Sequence, residues 1–124
     1  KYKGLDEVGS DAALLLSLLA HAGAEEGDAA ATQIAFARGA RKLGLRQMPV
    51  LLRIQDVSLT LVARALARLN ALAPLKKPAV VLACVECVQA DGRVRVAEME
   101  ILRALAAAID CPLPPLLSRA QLAA

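Results

Sequence analysis

A corner over residues 87–98 constrains the fold of this chain more than any other part of its sequence. It joins two stretches whose apolar residues recur at helical spacing. Gly92 can take positive φ at little steric cost, which a tight turn between two helices often requires. Asp91 can accept hydrogen bonds from backbone N–H groups two or three residues further on. We therefore expect two packed helices, with Val94 in the core between them and Glu98 in the first turn of the second helix.

The same corner carries the second half of a calcium-binding EF-hand loop. Gly92, Val94 and Glu98 fall at the sixth, eighth and twelfth loop positions, which suit an invariant glycine, an apolar residue and a bidentate glutamate. The first and third positions, which an EF-hand fills with Asp or Asn, carry no acid here. Calcium takes about six to eight oxygen ligands. We therefore expect a structural corner, with Asp91 and Glu98 as the one pair to test for a weak metal contact.

Composition and periodicity predict an all-α, single-domain bundle of about five helices over residues 1–124. The chain is 57% hydrophobic and 2% aromatic, and it is rich in the strong helix formers alanine and leucine. Its length suffices to bury a core without disulfides. A loose leader is expected over residues 1–9, and a first helix from a cap at Ser10 or Asp11 to about Ala22. The other helices are predicted at about residues 29–43, 59–71, 78–89 and 96–109.

Caps and apolar faces refine these expectations. Asp28 is predicted to cap the second helix, and Asp56 or Ser58 the third. Ile34 and Leu59 are placed on inward faces. The fourth and fifth helices have clear apolar stripes, formed by Val81, Cys84, Val85 and Val88, and then by Met99, Leu102, Leu105 and Ile109. The prolines after Cys111 stop the fifth helix, and residues 116–124 are expected to form a helical turn or to fray.

Cysteine and histidine offer few candidates for catalysis. Cys84 and Cys87 form a C-x-x-C pair that can serve redox or zinc chemistry. The pair lies inside a predicted helix, away from the N-terminal position that stabilises a thiolate, so core packing is the favoured interpretation. His21 is the single histidine, and no H-E-x-x-H, G-x-S-x-G, P-loop or G-x-G-x-x-G motif occurs. We expect no catalytic residue, no cofactor and no enzyme activity in this chain.

The cysteine count, the scarcity of aromatic residues and the distribution of basic residues limit the cellular compartment and the partners of this chain. Three cysteines and no visible secretory signal favour reduced thiols in the cytoplasm. The longest charge-free run is too short to cross a membrane, and the start at Lys1 indicates a piece of a longer protein. Scarce aromatic side chains argue against nucleic-acid binding. A basic edge on and after the second helix is either a solvated face or a patch for anionic lipid headgroups or an acidic partner: Arg38, Arg41, Lys42 and Arg46.

Four stretches of the second half carry a family resemblance. Residues 83–94, 97–98, 102–104 and 110–117 resemble the C-terminal end of bacterial membrane zinc metallopeptidases of the HtpX-like, CAAX-prenyl-endopeptidase type. The Ala-Asp-Gly-x-Val…Ala-Glu core is also similar to the TerB-like family, an all-helical domain first associated with tellurite resistance. That family often carries Thr or Ser where Arg95 stands here. Arg95 cannot accept the bond that completes a capping box with Glu98, so the cap is weaker or is made by Asp91.

The resemblance implies a C-terminal domain on the cytoplasmic side of the inner membrane, attached to a membrane-bound zinc metallopeptidase. Such a domain would be a non-catalytic accessory or protein-interaction module, and the zinc motif of the protease would lie outside this chain. Its partner would be the rest of the peptidase or another protein. The alternative is a metal-sensing, TerB-like stress-response adaptor that uses Asp91 and Glu98.

Overall fold

Five α-helices dominate the part of the chain that the computed structural model describes, which is residues 1–115 and the backbone of residues 122–123. They are α1 (Gly9–Gly23), α2 (Ala29–Leu43), α3 (Leu59–Asn70), α4 (Lys77–Val88) and α5 (Val96–Ala108). Two short strands, β1 (Val94–Arg95) and β2 (Leu122–Ala123), pair in parallel. The predicted all-α bundle is confirmed. The expected helical turn over residues 116–124 otherwise lies outside the described residues.

Helix α1 lies at the centre of the bundle and packs against the other four helices. Residues 12–20 are apolar apart from Ser17, and a helix without a polar face has to be covered on all sides. The Ser17 hydroxyl is buried, donates to the carbonyl oxygen of Ala13 (2.8 Å) and accepts from the N–H of Leu52 (3.0 Å). The central helix therefore also anchors the connector between α2 and α3.

Helices α2 and α4 form the most extensive pair of the bundle. They approach closely at Gly39, where an added Cβ would lie 2.8 Å from the carbonyl oxygen of Ala83 and 2.8 Å from Leu16 Cδ2. Both predicted apolar stripes are buried, one on α4 and the other along α5 and its C-cap residue Ile109. The stripe of α4 extends further around the helix than predicted, since Val80, Ala83 and Cys87 are buried as well.

The helix ends follow the predicted caps with one exception. Asp28 Oδ1 accepts from the N–H of Ala31 (3.0 Å), and Ser58 Oγ accepts from the N–H of Leu61 (3.2 Å). The predicted cap of α1 at Ser10 or Asp11 is wrong, because a 3-10 turn over Leu5–Val8 leads directly into that helix.

The expected loose leader is also wrong. Tyr2 pairs with the end of α3: its N–H donates to the carbonyl oxygen of Ala71 (3.0 Å), and the N–H of Ala73 donates to its carbonyl oxygen (2.7 Å). Arg68 donates to the Tyr2 hydroxyl (2.8 Å) and to Asp11 Oδ2 (2.9 Å), and its guanidinium lies 4.7 Å from the Tyr2 ring centroid. These contacts hold the N-terminal segment on the bundle.

Two side chains predicted to face inward are exposed. Ile34 is 57% exposed, because the buried face of α2 is set by Phe36, and residues two apart in an α-helix point about 200° apart. Leu59 is 89% exposed because it begins α3, ahead of the first buried residue of that helix, Val62. Both helices form as predicted, but their orientation depends on neighbours distant in the sequence.

Candidate functional site

The α4–α5 corner has the structural roles predicted for it. Gly92 has φ 76°, in the left-handed region. Asp91 Oδ1 accepts from the N–H of Arg93 (3.0 Å), so Asp91 closes the turn and does not cap α5. Val94 is fully buried between the helices. These contacts account for the turn between α4 and α5.

Glu98 is buried at the start of α5, with 3% of its surface exposed. Its Oε1 accepts from the backbone N–H of Arg95 (3.0 Å), which is half of a capping box, since Arg95 provides no side-chain cap in return. The carboxylate lies against the end of α1: a Cβ at Gly23 would overlap Glu98 Oε2 and lie 2.6 Å from Cδ. Glycine at position 23 therefore leaves the space that this carboxylate occupies.

The surroundings of Glu98 favour its protonated form. Burial raises the pKa of this carboxyl, and the nearby Asp91 charge raises it further, while the Arg95 backbone N–H and guanidinium act in the opposite direction. None of the ion pairs between described residues includes Asp91 or Glu98. A buried carboxylate without a counter-ion is costly, and proton uptake or a bound cation relieves that cost.

The two predicted site residues share one cavity, which we call the corner cavity. It measures about 260 Å³ and lies where the end of α1, the start of α2 and the α4–α5 corner meet. Its polar side chains are those of Asp91 and Glu98, and its walls are mainly apolar, with contributions from Leu19, Ile34 and Val88. The structure thus brings the predicted pair together beside an apolar space.

A neighbouring, more polar hollow of about 470 Å³ also borders Asp91. Glu25, Arg93 and Arg95 line it too, and Arg95 lies 3.7 Å from Glu25 Oε1. Within residues 1–115, no group of three or more His, Cys, Asp and Glu side chains is arranged to hold a metal ion. A weak metal contact at Asp91 and Glu98 therefore stays a prediction.

The three cysteines are free and buried. Burial raises the pKa of the Cys84 thiol to about 12 and raises that of Cys87 as well, with the charges of Cys84 and Glu98 adding to the effect. Burial also raises the pKa of Cys111. A redox or zinc-binding cysteine needs thiolate character, and these environments favour the thiol. The interpretation of Cys84 and Cys87 as core residues agrees with this geometry.

His21 has a structural contact. Its Nε2 lies 2.7 Å from the carbonyl oxygen of Leu52, to which it donates a hydrogen bond in the matching tautomer. The ring ties the last turn of α1 to the same connector that Ser17 holds. No acid or cysteine in the described residues is bonded to this ring.

The predicted basic edge is exposed, and its members differ in their contacts. Arg38 donates to the carbonyl oxygen of Ala90 (3.3 Å), and Arg46 pairs with Asp6, whose Oδ1 also accepts from the Arg46 N–H (2.9 Å). Arg41 and Lys42 are exposed and take part in none of the ion pairs between described residues. These two charges are available to a partner.

Exposed apolar side chains lie next to these cations. Ile34 and Met48 are each 57% exposed, and together with Arg41 they border a cavity of about 220 Å³ on α2. We call the exposed set Ile34, Arg38, Arg41, Lys42 and Met48 the α2 surface. Sequence reasoning missed its apolar part because it placed Ile34 in the core and gave Met48 no structural role.

Sequence reasoning also missed the walls of the corner cavity. Gly23 ends α1 and also makes room for Glu98. The small residues around it, Ala20 and Ala24, were the available signal, because a run of small side chains at a helix end permits close approach of another segment. Nothing in the sequence pairs that run with residue 98.

Comparison with models of protein families, with curated proteins and with solved structures gave no match. The resemblance to TerB-like domains and to metallopeptidase tails therefore stays a prediction. Among the described residues, no helix is both long enough and apolar enough to span a membrane.

Proposed function

We propose that this chain is a non-catalytic protein-interaction domain, and that it serves as an accessory module of a membrane-bound zinc metallopeptidase. The observation that carries the proposal is the α2 surface, where exposed Ile34 and Met48 lie beside the available charges of Arg41 and Lys42. Methionine and arginine are enriched at protein interfaces, and the fully buried core of an interface is more apolar than the rest of the protein surface. The surface therefore suits a partner that presents apolar and acidic side chains.

The identity of the parent protein is supported by the sequence resemblance of residues 83–117 alone. On that ground the partner is the rest of the peptidase, and the domain sits on the cytoplasmic side of the inner membrane. The reading frame upstream of Lys1 should then encode an H-E-x-x-H motif and long apolar segments. A complete frame that starts near Lys1 would contradict the metallopeptidase part of the proposal and leave the interaction surface to be tested by itself.

The interaction surface is tested by co-purification of the domain with the remainder of its parent protein. The double variant Arg41→Glu, Met48→Asp reverses one charge and removes one apolar contact, and it is expected to lose at least about tenfold in affinity. The matched control is Arg103→Glu on the exposed face of α5, which is expected to bind as the wild type does. Equal binding by the double variant would overturn the assignment of the surface.

The basic part of the same surface also suits an anionic membrane. Vesicles with and without phosphatidylserine separate the two kinds of partner, since a membrane-binding domain sediments with anionic vesicles and loses that binding at raised salt. Vesicle binding that depends on Arg38, Arg41, Lys42 and Arg46, without binding to the peptidase, would replace the protein partner with lipid.

A metal-sensing adaptor is the alternative function, and one observation favours it: the carboxylates of Asp91 and Glu98 border the same cavity. Calorimetric titration with Ca²⁺, Mg²⁺, Mn²⁺ and Zn²⁺ tests it. A saturable site at micromolar affinity that is lost in Asp91→Ala and kept in Glu100→Ala would establish a metal site. Titrations without saturable heat would rule the sensor out.

A further inference from the structure

The corner cavity is bordered by a buried carboxyl group that forms no ion pair within the described part of the protein. Glu98 is more than nine-tenths buried, and Oε1 accepts from the Arg95 N–H. The hydrogen bonds found within residues 1–115 give Oε2 no donor, and since no buried side-chain oxygen of these residues lacks a partner, Oε2 is accessible; Glu98 lines the cavity. Asp91, which is exposed, places a second carboxylate on the same cavity.

We propose that the corner cavity is a binding site for a small alkylammonium ligand, whose cationic head lies between Glu98 and Asp91 and whose alkyl chain contacts the apolar walls. This site adjoins the α2 surface at two places: Ile34 borders the cavities of both, and Arg38 donates to the carbonyl oxygen of Ala90, a residue that lines the corner cavity. The inference does not depend on the proposed accessory function.

Charge complementarity selects the head group. An ammonium has three N–H donors and no acceptor, which matches a site whose two polar side chains are both carboxylates. The nearby guanidinium of Arg95 is directed to Glu25 on the neighbouring hollow (3.7 Å). A carboxylate ligand would add a third acidic group to the site, and a neutral alcohol would bring no cation to the two carboxyl groups.

The walls select the rest of the ligand. Leu19, Ile34, Ala35 and Val88 supply apolar surface, and a hydrated divalent ion gains nothing from such walls. Calcium also needs about six to eight oxygen ligands, more than two carboxylates supply. The volume of about 260 Å³ lies below the range of about 300–1,000 Å³ that is typical of drug-sized ligands. A short alkyl chain therefore fits the space better than a ring system.

The probe for this site is n-hexylammonium, titrated into the 124-residue chain and followed by amide chemical shifts. Saturable shifts are expected at Val88, Asp91 and Glu98, with affinity rising about fourfold for each methylene from butyl to hexyl. Hexanoate and hexanol, which share the alkyl chain, are expected to bind much more weakly because they lack the cation.

Substitution of the carboxylate gives the decisive comparison. Glu98→Gln keeps an acceptor for the Arg95 N–H and removes the charge, so it is expected to weaken hexylammonium binding by about ten- to a hundredfold. Glu100→Gln makes the same change on the exposed face of α5 and is expected to bind as the wild type. If Glu98→Gln fails to fold by circular dichroism, Asp91→Asn replaces it, since an exposed asparagine can still accept from the Arg93 N–H.

Four results would overturn the proposal. They are the absence of saturable shifts up to millimolar hexylammonium, equal binding of hexanol or hexanoate, wild-type affinity in the carboxylate variant that folds, and binding of Ca²⁺ or Mn²⁺ in place of the amine. The last result would favour the metal-sensing alternative.

Discussion

Gly39 sets the distance between α2 and α4, because it has no side chain where the two helices meet. Gly39→Ala would place a Cβ 2.8 Å from the backbone oxygen of Ala83. A backbone atom cannot relieve this contact by side-chain rotation. We expect the free energy of unfolding to fall by about 1–3 kcal/mol, although alanine is the better helix former. Urea denaturation measures the change.

The control for this prediction is Gly4→Ala. Gly4 has extended backbone with φ −130°, and nothing lies within 4 Å of an added Cβ. Its free energy of unfolding is expected to stay within about 0.5 kcal/mol of the wild type. Equal losses in the two variants would mean that Gly39 does not determine the helix spacing.

Glu98 gives the stability of the domain a pH dependence of known sign. Burial, followed by the Asp91 charge, raises the pKa of Glu98 in the folded state. The unfolded chain then releases this proton more readily than the folded one, so the contribution of Glu98 to stability falls as pH rises through the ordinary pKa of glutamate, about 4.3, and beyond. Below that pH both states are protonated and the contribution is constant.

Glu98→Gln removes the pH-dependent contribution of Glu98 to stability, since glutamine does not titrate. The stability of the variant relative to the wild type is therefore expected to increase as pH rises from about 4.3 to neutrality. Denaturation curves over this pH range measure the difference, and Glu100→Gln corrects for the general effect of removing a carboxylate from α5. A difference that stays flat or shrinks with pH would contradict the raised pKa.

At the scale of the helix, α2 depends on its N-terminal cap. Asp28 accepts from the N–H of Ala31 and is a negative charge at the positive end of the helix dipole. Asp28→Ala is expected to lower the free energy of unfolding by about 1 kcal/mol. Glu26→Ala, two residues before the cap at an exposed position, is the control and is expected to change the free energy of unfolding by less than about 0.5 kcal/mol. Thermal denaturation of both variants checks the contrast.

The same helix shows why some elements were predictable from sequence. Its bounds were predicted correctly because Asp28 marks its start and Gly44, which has φ 63°, marks its end, and both signals are local. The buried face of α2 was not predicted correctly, because whether Phe36 or Ile34 enters the core depends on where α1 and α4 lie. The 3-10 entry to α1 was missed because no local residue pattern distinguishes it from a capped start.

At the scale of the whole molecule, Arg68 joins the N-terminal segment to the bundle. It contacts Asp11 and Tyr2, more than 50 residues away in the sequence. Arg68→Met keeps an apolar stem and removes these bonds, so the N-terminal segment is expected to open more often. Faster hydrogen exchange at the amides of Tyr2 and Ala73 is the expected result.

The control for that prediction is Arg64→Met. Arg64 lies one helical turn earlier on α3, is exposed, and takes part in none of the ion pairs found within residues 1–115. Exchange at Tyr2 and Ala73 is expected to match the wild type in this variant. Unchanged exchange in Arg68→Met would show that the backbone pairing of Tyr2 with α3 suffices to hold the segment.

The candidate site depends on the whole molecule even more strongly. The turn chemistry of Gly92, Asp91 and Val94 is local, so it was predicted correctly from the sequence. The corner cavity is not local, because most of its lining residues come from α1 with its C-cap residue and from α2, more than 50 residues before Glu98. A sequence pattern specifies the residues of one segment, and it does not specify which distant segment covers them.

The three buried thiols can report local opening of the bundle. Cys84 and Cys87 lie in α4, and Cys111 follows α5, so a small alkylating reagent reaches them when these helices separate. Their labelling rates then measure local opening without any added probe. Because Cys87 borders the corner cavity, a bound amine is expected to slow its alkylation and to leave that of Cys111 unchanged.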